Sequence, residues 1–234
     1  MGKAFTALFM IALAGCAVTE KETPTPQNMS EGTTGGSGFL SSETYAKLQQ
    51  GTKDQVGLVY INPNVDWRQY NKVMIAAVTV GLGPNDQVSD QDEQTLSSYY
   101  YHALERDLSK DFTLVNQPGP DVMIVRVALT SATTATPVLR TISVVIPQAR
   151  LLNSVANLAT GSYAFVGSAQ SEGEVTNAMT GQVLAAGVDK RSGGLSIKNA
   201  SVWQWGDAEN AMDFWAQRLA TRLQELHSGT APTT

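Results

Sequence analysis

The chain has 234 residues, 42% hydrophobic and 16% charged, with a formal net charge of −5 at pH 7 and one cysteine. That content can bury the core of one domain. The acidic balance, with no run of lysine and arginine, excludes nucleic acid and electrostatic docking on anionic lipid as partners.

The N-terminus reads "MGKAFTALFMIALAGC". Lys3 makes a positive start, Ala4 to Ala14 are mostly apolar, and small residues close the segment, which is the layout of a secretory signal peptide. An apolar run of about 11 residues is too short for a hydrocarbon core, which needs roughly 20. Leu13-Ala14-Gly15-Cys16 resembles the lipobox of bacterial lipoproteins. The resemblance implies cleavage after Gly15 and acyl chains on Cys16, a membrane anchor rather than a redox group or nucleophile. Ala17 and Val18 follow with no aspartate, which by resemblance to enterobacterial lipoproteins implies the outer membrane, facing the periplasm. From Ala17 to Gly38 threonine, proline, glycine and serine dominate, too polar to offset the entropy of ordering, so the tract is expected to be a disordered tether spanning roughly 25 Å. The expected organisation is therefore signal peptide 1–15, lipidated cysteine and tether 16–38, one globular domain 39–227, and a frayed tail 228–234.

Within the domain, Leu58 to Ile61 reads as a short strand and Lys72 to Val80 as a strong central one. Ser89 and Asp90 can cap a helix, with Asp92 and Glu93 at capping-box spacing, whose Leu96, Tyr99, Tyr100, Ala103, Leu104 and Leu108 recur at helical spacing. "DFTLVN" is a short strand. Val122 to Ser131 is a long one, with Val122, Ile124, Arg126 and Ala128 on one face and Met123, Val125, Val127 and Leu129 on the other. "VLRTISVVIP" is apolar enough for another strand or reads as extended loop, and Gln148 to Leu158 fits a short helix. Strands at Ser162–Thr176 and Gln182–Lys190 form a hairpin through Asn177–Gly181. The last helix runs from Asp207, its expected cap, to Leu226, with Ala208, Ala211, Phe214, Trp215, Leu219, Leu223 and Leu226 as its apolar stripe. The order β-α-β-β-α-β-β-α gives an α/β (α+β) fold, a mixed sheet with about three helices against it.

The segments "FLSSETYAKL", "LVYINPNVDWRQYNKVMI", "DFTLVNQPGPDVMIVRVALTSA", "EGEVTNAMTGQVLAAGVDKRSG" and "NAMDFWAQRLATRL" together resemble a bacterial lipoprotein family, Domain of Unknown Function 3313, over nearly all of Phe39 to Leu226. Asn177 stands where an aspartate is expected before the Thr180-Gly181 turn. The resemblance implies an exported lipoprotein with one compact domain and carries no activity, cofactor or catalytic residue.

Chemistry has few candidates. His102 lies in a helix and His227 at a fraying end. There is no Gly-x-Ser-x-Gly elbow or phosphate loop, and no cysteine remains for a thiolate or metal site once Cys16 is acylated. Glu172 and Glu174 share a strand face, Asp189 closes the partner strand, and Arg126 lies mid-strand nearby. They read as a charge ladder across adjacent strands, or alternatively as the acid/base pair of a periplasmic glycan-cleaving enzyme. Trp203 and Trp205 are expected to pack under the last helix and Trp67 to cap the core. The functional expectation is a non-enzymatic binding or accessory module of the cell envelope with no cofactor, anchored in the membrane by lipid and working with a protein partner.

Overall fold

The computed structural model describes residues 19–22, 38–52, 55–81, 88–133, 168–193 and 205–230. Its strands, in chain order, are β1 (Thr19–Glu22), β2 (Gln49–Gln50), β3 (Leu58–Ile61), β4 (Lys72–Ile75), β5 (Thr79–Val80), β6 (Thr113–Leu114), β7 (Val122–Thr133), β8 (Ser168–Asn177) and β9 (Val183–Gly193). The helices are α1 (Ser42–Lys47), α2 (Asp90–Leu108) and α3 (Gly206–Ser228), with a 3-10 turn at Trp67–Gln69. The strands form one sheet in the order β2-β3-β9-β8-β7-β4-β6, with β1 also paired to β9 and β5 to β7. Pairings of β4 with β6 and of β4 and β5 with β7 are parallel and the others antiparallel, so the sheet is mixed and the class is α+β.

Side-chain alternation decides what each face carries. On β7, Val125, Val127 and Leu129 lie under α2 and α3. They join Leu96, Leu104, Leu108, Met212, Trp215 and Leu223 in the main core. The other face carries Ala186 and Val188, covered by Leu40, Phe39 and Tyr45 from the segment containing α1. Trp67 is buried at the edge of the main core, with the Tyr70 ring 6.4 Å away in an edge-on arrangement.

Local chemistry explains the helix ends. Ser89 Oγ accepts from the Asp92 backbone N–H at 3.2 Å and donates to the Asp92 carboxylate at 2.9 Å, closing the first turn of α2. At the end of α3, Gly229 takes φ +73, where a side chain is strained. Its neighbour Thr230 donates to the Glu225 carbonyl at 2.9 Å, which seals the last turn. The tyrosines of α2 splay around it as helical geometry requires: Tyr100 is buried, while half-buried Tyr99 donates to Asp213 on α3 at 2.8 Å.

Several expectations are corrected. Thr19–Glu22, inside the expected disordered tether, pair antiparallel with Lys190–Gly193 of β9. Lys72 to Val80 is not one strand. β4 pairs with β7 in the register Lys72↔Val122, whereas β5 pairs Thr79↔Ala128, so one extra residue interrupts the ladder between them. Asp207 is not the cap of α3. Trp205 occupies that position without a side-chain cap, and Asp207 lies buried in the first turn, where a carboxylate complements the helix dipole. Besides α2 and α3, the helix found among the described residues is α1. The expected helix Gln148–Leu158, the strand "VLRTISVVIP", the start of the expected Ser162–Thr176 strand, Trp203, Gly15 and Cys16 lie outside the described residues.

Candidate functional site

Three strands carry the candidate charges. β7 and β8 pair Arg126 directly opposite Glu174, and an arginine nitrogen lies 2.5 Å from the carboxylate. The Arg126 side chain is 47% exposed and sits over the Phe39 ring at 5.2 Å, whereas Glu174 is buried. Two residues back on the same face, Glu172 is buried and accepts from the Tyr45 hydroxyl of α1. The expected ladder is therefore present for Arg126 and Glu174, with α1 packed over Glu172. Replacing Arg126 with alanine strands a buried carboxylate. It is expected to cost about 1–2 kcal/mol in urea unfolding, since only half of the pair is buried.

Asp189 does not join them. It is 2% exposed and lies on the opposite face, directly opposite Ser171 of β8. There its carboxylate accepts from Arg191 at 2.8 Å, from the Trp215 indole of α3 at 2.9 Å and from the Gly57 backbone at 2.7 Å. Arg191 is itself buried, its guanidinium 3.7 Å from the centre of the Phe214 ring. This cluster ties β9 to α3 and to the start of β3. Asp189 is therefore not grouped with the two glutamates, contrary to expectation from strand alternation. The hairpin bulge separates them, because Val175 pairs with Ala185 but Thr176 with Val183. Leu184 is thus an extra residue that turns the rest of β9 over.

Between α3 and the sheet lies a partly open cavity of about 460 Å³, within the roughly 300–1,000 Å³ usual for ligand sites. Its walls are largely aliphatic, with Val59 and Ile61 from β3, Val127 and Val175 from the central strands, and Leu219 and Leu223 from α3. Gly173 and Gly187 are register partners in its floor. Both allow close packing of a neighbouring valine: a Cβ on Gly187 would meet Val56 Cγ2 at 3.0 Å, and one on Gly173 would meet Val127 Cγ1 at 3.3 Å. Arg218 and Arg222 of α3 also line it. Arg222 pairs with Glu225 at 3.1 Å. Arg218 has its guanidinium carbon 5.9 Å from the Phe214 ring centre, and its buried Nε has no hydrogen-bond partner among the described residues.

The model of the family "Protein of unknown function (DUF3313)" matches residues 36–219. The chain belongs to the DUF3313 family. No curated protein matches it. Among solved structures, the DUF3313 chain is similar to the PelC dodecamer from Paraburkholderia phytofirmans, at 11% identity and TM-score 0.39 over 69% of this chain and 98% of that one. It is similar to a putative neuraminyllactose-binding hemagglutinin homolog from Helicobacter pylori at 7% identity and TM-score 0.35, over 70% and 86% of the two chains. It is also similar to protein XCC0632 from Xanthomonas campestris at 11% identity and TM-score 0.36, over 73% and 92%. Likenesses this distant assign no role to a DUF3313 residue.

Sequence reasoning missed the cavity and its two arginines. The available signal was the Gly173 and Gly187 pair, each a glycine inside a strand, which marks a close approach or a gap. His102 is exposed beside Glu105, and His227 contacts the Trp67 carbonyl at 3.3 Å, so the structure keeps the two imidazoles in separate surroundings. No group of three metal-ligating side chains occurs among the described residues of this DUF3313 protein.

A titrating group sits elsewhere, where α2 meets α3. Burial, and then the neighbouring Asp213 carboxylate, push Glu209 above the usual range. An acid raised in the fold carries no penalty when both states are protonated. The penalty grows as pH rises through the unfolded value and is complete above the folded one. Glu209→Gln is therefore expected to raise the urea midpoint at about pH 7 and leave it unchanged near pH 3. An equal gain at both would place the cause outside ionisation.

Proposed function

We propose that this DUF3313 protein is an outer-membrane lipoprotein, held by acyl chains on Cys16, whose periplasmic body binds a protein partner of the envelope and is not an enzyme. The observation that supports binding over catalysis is the commitment of all three strand carboxylates to the fold. Glu174 is held by Arg126, Glu172 by Tyr45, and Asp189 by Arg191, Trp215 and Gly57. Glycoside hydrolysis needs two carboxyl groups facing one cleft, roughly 5–10 Å apart. Here the glutamates lie on one face and Asp189 on the other.

The pairing of β1 with β9 adds a geometric consequence. Thr19 follows Cys16 by three positions, and three residues of chain reach at most about 10 Å. The body is thus held close to the bilayer, at high effective concentration toward anything else anchored there.

The test is photo-crosslinking in the native host from the full-length protein, with probes at Met179, the exposed tip of the β8–β9 hairpin, and at Lys47. Recovery of one envelope protein at a defined probe site supports binding. Absence of any specific crosslink, together with muropeptide turnover by the full chain that Glu172→Gln abolishes, reverses the reading.

A further inference from the structure

We propose that the cavity between α3 and the sheet binds an amphiphile with one anionic head, its apolar chain among Val59, Val127, Val175 and Leu223 and its head on Arg218. This ligand is separate from the protein partner proposed above.

The chain-binding half follows from the lining. Val127, Val175 and Leu223 are buried yet border open volume. The floor there consists of two glycines in register, which raise no side chain into the space. A well-packed core leaves few voids larger than a water molecule, and apolar walls favour apolar contents over water.

The head-binding half follows from a balance of charges around the cavity. Four charged side chains whose surroundings matter here are Asp189, Glu225, Arg222 and Arg218. Asp189 is neutralised by Arg191 on its own strand, and Glu225 by Arg222 at 3.1 Å. Arg126 and Glu174, whose backbones border the cavity, pair with each other on the far face. Arg218 is left over, a guanidinium with donors only, its Nε buried without a partner among the described residues. A half-buried cation beside an aliphatic wall costs free energy until an anion arrives. A planar fork of N–H groups suits a carboxylate or phosphate. One cation that no carboxylate among the described residues neutralises, at the flank of one apolar cavity, therefore calls for one anionic head on one chain.

The experiment titrates the full-length protein, held in amphipol, with dibromostearate and with the methyl ester of the same acid. Tryptophan fluorescence is the readout, because Trp215 lines the cavity and bromine quenches at short range. Saturable quenching by the acid is expected, with the ester at least about tenfold weaker, the loss of one charge-assisted contact. Arg218→Gln should lower affinity for the acid by a similar factor and leave the ester unchanged. Ala185→Phe and Val59→Phe, each checked for native circular dichroism, fill the cavity from two different strands and should abolish saturation. Lysophosphatidic acid competing with dibromostearate distinguishes a lipid phosphate from a free fatty acid by which binds tighter. Absence of saturable quenching in the folded wild type overturns the proposal, as does equal affinity for acid and ester. Neither result touches the crosslinking test, so the two readings fail separately.

Discussion

Asp189→Ala is expected to destabilise the fold by about 3–5 kcal/mol at neutral pH, the usual cost of removing one member of a buried ion pair. The substitution leaves Arg191 buried beside the Phe214 ring with its partner gone. It also orphans the Trp215 indole N–H and the Gly57 backbone N–H, each of which carries its own desolvation cost. Asp189→Asn keeps an acceptor for these neutral donors and should be milder, though it still strands the Arg191 charge. Urea unfolding of the full-length chain measures both. A loss below about 1 kcal/mol for the alanine variant, the range of exposed pairs, would mean that the cluster does not hold β9 to α3.

The second large effect concerns location. Each buried CH₂ of an acyl chain contributes about 0.8 kcal/mol, and one chain alone binds a membrane only marginally, so stable anchoring takes two or more. Cys16→Ala removes the only sulfur that could carry them. The same change completes an alanine-glycine-alanine run after the apolar segment, a site that ordinary signal cleavage accepts. The variant is therefore expected to shift almost wholly from the membrane pellet to the soluble periplasmic fraction and to lose incorporation of a palmitate analogue. Unchanged pelleting of a cleaved chain would show that something other than Cys16 holds the body to the membrane.

Much of the architecture could be read directly from residue order. The 3.6-residue recurrence of Leu96, Tyr100, Leu104 and Leu108 specifies α2, and of the two candidate caps Ser89 takes the position while Asp90 is the first helical residue. The alternation of β7 separates Arg126 from Val125 and Val127 correctly, because period-two patterning is a local property of one strand. What local patterning does not carry is the face of one strand relative to the next. Were Leu184 paired in the ladder rather than bulged, Asp189 would lie opposite Gln170 and share a face with Glu172. The bulge at that position moves it to Ser171 and beneath Trp215. Its position depends on a single inserted residue, which no composition signal marks. The same holds for β1, whose "TEKE" is polar and becomes a strand only because the free edge of β9 offers backbone partners.

Asn177 shows the opposite case, a residue whose departure from expectation the structure explains. Its side-chain oxygen accepts from the Met179 and Thr180 backbone N–H groups at 2.8 and 2.9 Å, the work an aspartate would do. Its amide nitrogen also donates to the Tyr70 hydroxyl at 2.8 Å, which a carboxylate cannot do. Gly181 then closes the turn at φ +70.

The proposed attachment through Cys16 is the point on which the proposed location, orientation and proximity to partners all depend. The decisive measurement is the mass of the N-terminal peptide from protein purified out of its native host. The expected result is a chain beginning at Cys16 with a diacylglyceryl group on sulfur. A free thiol at Cys16, or a mature chain that retains the first fifteen residues, would contradict it.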